Sequence, residues 1–417
     1  MSITARFMLA AVSLAFAGQS APAPQPRAYG ALHDGNYLEA VDLARAAASS
    51  GGHLDRTSPA YSDWLQIHPF IGGVLDPAAI EPGPYAGELD PERAARFRSA
   101  EVRNAVREIA ARAARSRIVI LNEAHSSPRD RAFALEVARA LRPLGYGLLA
   151  MEALANHPDP AESDRAMAEL MADGFPRART GHYLRDPLFG DFLRQALALG
   201  YRPIAYEESG PSAPGTVFEQ IAQREQTQAE NLAAVLRRHP GERLFVYVGY
   251  SHAAEAAMAS PGGLVEWMAT RLKRLTGIDP LTIDQTVIDE TSARRRAYRD
   301  LVAPRLRGRP GILFTGGQPL VEGEYAGAVD LQVVHPPLRL VRGRPEWMRR
   351  IGRRPVDIPR RLLPERGRRL VQAFAADEPG DATPLDQIIV EAGQPAPPLL
   401  LPRGRFRWAV QDPPPGR

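Results

Sequence analysis

Ile118-Val119-Ile120-Leu121-Asn122-Glu123-Ala124-His125 is the stretch on which the fold turns. Its first four residues are apolar without alternation, the pattern of a strand covered on both faces. Similar segments recur at Gly147-Leu148-Leu149-Ala150-Met151, Pro203-Ile204-Ala205-Tyr206, Leu244-Phe245-Val246-Tyr247-Val248, Leu281-Thr282-Ile283 and Ile312-Leu313-Phe314, most of them separated by a helical stretch. Strand and helix in alternation predict an α/β fold: a mainly parallel sheet of about five or six strands, covered by helices, with right-handed crossovers. Helix starts are legible at Ser127-Pro128 and Asp186-Pro187, where a capping side chain precedes proline. Gly145, Gly174 and Gly200 stand at the expected stops. A helix through Val102, Val106, Ile109, Ala110 and Ala113 leads into the first strand.

Outward from this region the chain divides four ways. Residues 1–17 carry Arg6, the apolar run Phe7 to Phe16 and a small-x-small Ala15-Phe16-Ala17, which predicts a signal peptide and hence a periplasmic or secreted mature protein. Residues 18–98 read as a helical and irregular N-terminal extension, with one helix marked by Tyr37, Val41, Leu43 and Ala44. Residues 99–317 form the α/β domain of catalytic type. Residues 318–417 are a Pro/Arg-rich region, irregular or β-rich, in which Leu331-Gln332-Val333-Val334 is the clearest strand.

Composition removes several function classes. The 417 residues include no cysteine, so disulfides, thiolate metal sites, a cysteine nucleophile and a lipidated cysteine are excluded. No later apolar run approaches the roughly 18 residues of a membrane span. Net charge is +4, with Lys273 the single lysine. The eleven arginines between Arg342 and Arg369 are broken by Pro345, Pro355, Pro359 and Pro364, so no helix presents them as a stripe. Nucleic acid is therefore not an expected partner.

Ligands of an open parallel sheet bind beyond the carboxyl ends of its strands. Those ends deliver Asn122, Glu123 and His125; Glu152; Glu207 and Glu208; and Gly249, Tyr250, Ser251 and His252. So many acids repel one another unless protons, a metal or arginine offset them. The helix from about Thr216 to Arg238 has an apolar face through Val217, Ile221, Leu232 and Val235, interrupted by Arg224, Glu225, Gln228 and Asn231. Such an interruption calls for polar company: Arg224 for the glutamates, Glu225 or Asn231 for a histidine. Glu208 and Glu255 read as solvated. His33, His53, His68, His157, His182, His239 and His335 read as surface or packing residues.

Ile118 to His125, with Asn-Glu-Ala-His after the strand, resembles the strand plus Gly-Glu-x-His signature of the superfamily that includes erythromycin esterases, Tiki-type metal-dependent proteases and ChaN-like haem-uptake proteins. Gly249-Tyr250-Ser251-His252 is similar to its second motif, Gly-x-x-His. Arg224 to Leu232 resembles the Arg-acid-x-x-Met-Ala-x-Asn helix of the erythromycin esterases, and Glu152 matches the glutamate after the second strand. The likeness covers about residues 99–290. Asn122 departs from the first glycine, where asparagine still tolerates a left-handed turn, and Gln228 departs from the methionine.

What the resemblance implies is hydrolysis of an ester or amide in a small-molecule or peptide substrate, with Glu123, His125, Glu152 and His252 carrying the chemistry and Arg224 supporting them. In a metal-free version a histidine activates water. In a metal version His125, His252, Glu152 and Glu207 would hold zinc, manganese or cobalt. The alternatives are a ChaN-like haem or iron carrier, with Tyr250 among the iron ligands, and a catalytically inactive scaffold. No Gly-x-Ser-x-Gly elbow occurs, which argues against a serine nucleophile. Nothing in the sequence fixes the oligomeric state.

Overall fold

The computed structural model describes residues 27–413 except 73, 75–83, 211–213 and 261–262. The expected signal peptide lies outside the described residues. The chain is mixed α/β, built on a large, mostly parallel central sheet flanked by helices. Among the described residues no helix is long and apolar enough to cross a membrane.

The sheet contains nine strands: β1 (Glu101–Asn104), β2 (Ile118–Glu123), β3 (Tyr146–Met151), β4 (Arg202–Ile204), β5 (Arg243–Gly249), β6 (Leu281–Asp284), β7 (Gly311–Thr315), β8 (Gln318–Pro319) and β9 (Leu331–Val334). Six run parallel in the order β9-β6-β2-β5-β3-β4. β7 pairs antiparallel with β9, β8 and β1. Two sequence readings are corrected here. Leu331–Val334, assigned to the C-terminal region, is a parallel strand of the central sheet, because it hydrogen-bonds β6 on one side and β7 on the other. Val102 lies on β1 rather than on a helix; the helix begins at Ala105, where the Asn104 side chain accepts from the Arg107 amide.

Unbroken apolar strands follow from two covered faces. On one face Val119, Leu121, Leu149, Met151 and Phe245 pack against helices α5 (Ala105–Ala113), α6 (Pro128–Leu141) and α8 (Pro187–Ala198). On the other, Ile118, Ile120, Leu148, Val246 and Val248 pack against α9 (Val217–Arg238) and α10 (Met268–Thr276). Successive residues of one strand thus enter different cores, and each fully buried Leu or Ile contributes about 1.5–3 kcal/mol. Gly145, Gly174 and Gly200 all take left-handed φ at element ends, which a side chain would strain.

The N-terminal helices α1 (Arg27–His33), α2 (Tyr37–Ala47) and α3 (Tyr61–Ile67) form a third core that includes Leu370 and touches Tyr183, while α4 (Pro91–Ser99) precedes β1 and α7 (Pro160–Asp173) follows β3. The C-terminal region carries a three-stranded antiparallel sheet of Arg368–Ala375, Asp386–Glu391 and Phe406–Gln411. Arg353, fully buried, ties it to the main domain by reaching Asp191 on α8 at 3.1 Å and the Leu385 and Leu400 carbonyls.

Candidate active site

The chain builds β2, β3 and β4 in one direction, returns to insert β5 between β2 and β3, then adds β6 beyond β2. The reversal opens a crevice at the carboxyl ends of β2 and β5. Register sets Glu123 beside Gly249, and the Glu152 amide donates to the Tyr247 carbonyl at 3.1 Å. Residues 123, 125, 152 and 252 thereby meet.

Glu123 is 2% exposed. Its carboxylate receives the Arg131 Nε at 2.9 Å, the Tyr247 hydroxyl at 2.9 Å and the His125 Nδ1 at 3.0 Å. Burial opposes its ionisation, yet Arg131 and His125 prevail and hold its pKa below the ordinary carboxylate value. Arg131 also donates to the His125 carbonyl at 2.8 Å and pairs with buried Asp186. With a carboxylate on Nδ1, His125 carries its proton there and sets Nε2 beside Gly249, on the side of Glu152.

His252 repeats the arrangement from the other strand. Its Nδ1 lies 2.8 Å from Glu225 on α9, whose carboxylate also accepts from the Met268 amide at 2.8 Å. Its Nε2 stands 3.6 Å from Glu152 Oε1 and 3.3 Å from Arg224 Nη1. Burial disfavours the imidazolium, but Glu225 and Glu152 outweigh burial and the repulsion of Arg224, so its pKa is raised.

Glu152 is the centre of the site. It accepts from the Gly249 amide at 2.6 Å and from Arg224 Nη2 at 2.6 Å. Burial works against its charge, while His252, Arg224 and His125 drive its pKa well below the usual range. Gly249 is required for a steric reason. A Cβ there would lie 2.5 Å from His125 Cε1 and 3.0 Å from Glu152 Oε2, so imidazole and carboxylate share the space a side chain would fill.

Arg224 also takes Glu207, through Nε at 3.0 Å, and Gln228 Nε2 reaches both Glu207 oxygens at 3.0 Å. Asn231 holds the Tyr206 carbonyl at 2.9 Å. The polar interruption of α9 thus faces the site. Glu208 stays at the rim, its pKa raised by burial and by Glu207. Among the described residues no three His, Asp or Glu side chains converge as metal ligands. Arg224 takes the electrostatic place of a cation, and Glu152, Glu207 and His252 are turned to it, so this donor set does not fit a divalent ion. Nor does it fit haem, which needs apolar walls where carboxylates stand.

Asn122 departs from the sequence reading. It is extended within β2 and wholly buried, donating to Asp284 at 2.9 Å and the Tyr250 carbonyl at 3.0 Å and accepting from the Gln285 amide at 2.8 Å. The left-handed residue is Tyr250, at φ 39°. Tyr250 sets its ring edge-on to His125, with centroids 5.1 Å apart. His335, read as packing, is fully buried and hydrogen-bonds Gln285 at 2.9 Å behind the site. Arg131, Tyr247 and Tyr183 were not singled out. Of these Arg131 leaves a trace, as a charge among the apolar residues Ala132, Phe133, Ala134 and Leu135, and Tyr183 a fainter one in the nearby Gly181.

No protein-family model matches the chain, and no curated protein matches it significantly. Among solved structures it is similar to RRSP, a MARTX toxin effector domain from Vibrio vulnificus CMCP6, at 20% identity and TM-score 0.34, covering 63% of this chain and 56% of that one. It is also similar to the type III effector HopBA1, at 14% identity and TM-score 0.31, covering 48% and 89%. A structure described as that of bacterial protein toxins matches at 18% identity and TM-score 0.35, covering 63% and 57%. Overlap of this extent says nothing of activity, which rests on the site itself.

Proposed function

We propose that this chain is an exported hydrolase of the superfamily that includes erythromycin esterases and Tiki-type proteases, activating water against an ester or amide bond by the metal-free route. One observation carries the reading: two imidazoles, each fixed at Nδ1 by a buried carboxylate, converge on Glu152 beside a buried arginine. His125 Nε2 takes a proton from water as the water oxygen bonds to the carbonyl carbon. Glu123 accepts the Nδ1–H and steadies the imidazolium that forms. His252, whose pKa is raised by Glu225 and Glu152, donates its Nε2 proton to the departing oxygen or nitrogen as its bond to carbon breaks. Arg224 faces the oxyanion, and Glu152 keeps Arg224 and His252 in place.

The test is a panel of ester and peptide substrates assayed on the full mature chain with and without chelator. Turnover that survives chelation and disappears in His125→Ala is the expected result. Turnover abolished by chelation sinks the metal-free route, and turnover indifferent to His125 sinks the hydrolase reading. A Soret band in protein purified from its native compartment would favour the haem carrier instead.

A further inference from the structure

One face of the His125 ring is covered by Tyr183. The two rings stack with centroids 4.6 Å apart and planes 20° from parallel. Tyr183 is not free to leave: its hydroxyl donates to Gln66 Oε1 on α3 at 2.7 Å. The neighbouring His182 packs against Tyr29 at 5.2 Å and against Phe70 at 6.5 Å, both from the N-terminal unit. The Tyr37 hydroxyl on α2 donates to the Arg185 carbonyl at 3.0 Å.

The same segment is pinned from the domain side. Asp186 pairs with Arg131, which itself holds Glu123. The Ala155 amide donates to the Thr180 carbonyl at 2.8 Å. At Gly181 a Cβ would fall 1.8 Å from the Ala153 carbonyl oxygen, so only glycine lets the segment cross the loop after β3 at this depth. Tyr250 meets the same imidazole with its ring plane nearly perpendicular, and its left-handed backbone is a strain that a bulky residue accepts only where the surroundings impose it.

We infer that Tyr183 is a positioning residue for His125 and that the N-terminal helices hold it in place, which makes those helices part of the reactive centre. The inference rests on the proposed role of His125 as base only for its kinetic consequence. Glu123 fixes where Nδ1 points; the tyrosine face fixes the tilt of the ring about that bond, and hence where Nε2 points. Removing one wall of the clamp leaves the hydrogen bond and frees the tilt, and small misplacements of a reacting group cost rate steeply.

The experiment has two arms on the full chain. In the first, the His125 Cε1–H resonance is followed by NMR through a pH titration, without substrate. Stacking on an aromatic face shields that proton, so Y183L moves the resonance downfield, and Y183F and Q66L, which keep the ring but each remove its hydrogen bond to α3, both shift it partway. In the second, kcat/KM on the best ester or amide substrate falls about tenfold in Y183L, with KM little changed, and falls less in Y183F and Q66L, which retain the stacked ring. An unmoved His125 resonance in both Y183L and Q66L overturns the inference whatever the activity. A moved resonance in a protein that hydrolyses nothing leaves the clamp standing and removes the hydrolase reading instead.

Discussion

The two histidines of the site are built alike and surrounded differently. Each lies at the end of a neighbouring parallel strand, and each gives Nδ1 to a buried glutamate. The companions of the glutamates differ. Glu123 meets a guanidinium and a phenol, so its charge is largely satisfied before His125 is counted. Glu225 meets one backbone amide and His252, and Glu152 lies on the far side of that imidazole. The pKa of His252 is therefore raised, whereas His125 is backed by a carboxylate already paired with Arg131 and Tyr247 and is stacked on Tyr183. In the proposed reaction one pair of residue types supplies an acid and a base because the second layer of partners differs.

This contrast can be broken most severely at the base. His125→Ala should lower kcat/KM by about 10³-fold, within the range for losing a positioned general base, read with any substrate the wild type hydrolyses. Next in size, Arg224→Met leaves Glu152 and Glu207 facing each other with no cation between them. Stability should fall by about 3–5 kcal/mol, measured by urea unfolding at neutral pH, and recover in part at acid pH as the two carboxyls protonate.

Glu225→Gln sharpens the comparison through pH. The folded pKa of His252 is raised, so its contribution to stability is complete below the unfolded value of about 6.5 and is lost as pH rises through the folded value. The wild type should therefore lose stability across that alkaline window, and E225Q should show a flatter profile in urea midpoints, with the alkaline limb of kcat moved to lower pH. Smallest of all, Glu208→Gln at the rim should change kcat/KM by no more than about twofold, as surface charges contribute little. A large effect there would relocate the substrate toward α9.

Much of the architecture was legible because burial on two faces writes itself as unbroken apolar runs; β2, β3 and β5 announced themselves that way. β9 did not. Its Leu331-Gln332-Val333-Val334 looks no different from a strand of a separate small sheet, and only hydrogen bonding to β6 and β7 reveals where it inserts. Val102 was drawn into a helix by its spacing from Val106 and Ile109, although the polar neighbours Glu101 and Arg103 already suit a short edge strand. The site residues could be picked out because parallel topology gathers strand ends. What could not be picked out was their second layer. Tyr247 sits inside an apolar run with nothing to mark its hydroxyl, and Tyr183 reaches His125 from a segment whose only sequence clue is a glycine at 181.

The insertion of β5 between β2 and β3 sets an order of events during folding. Glu152 emerges from synthesis before the amide of Gly249 and the guanidinium of Arg224 that it needs, so an early pairing of β2 directly with β3 would bury this acid with no counterpart. The cost of burying an unpaired carboxylate would disfavour that pairing until the later strand arrives. Glu152 would thus also guard the topology, and loss of its charge should show itself in refolding yield as well as in turnover.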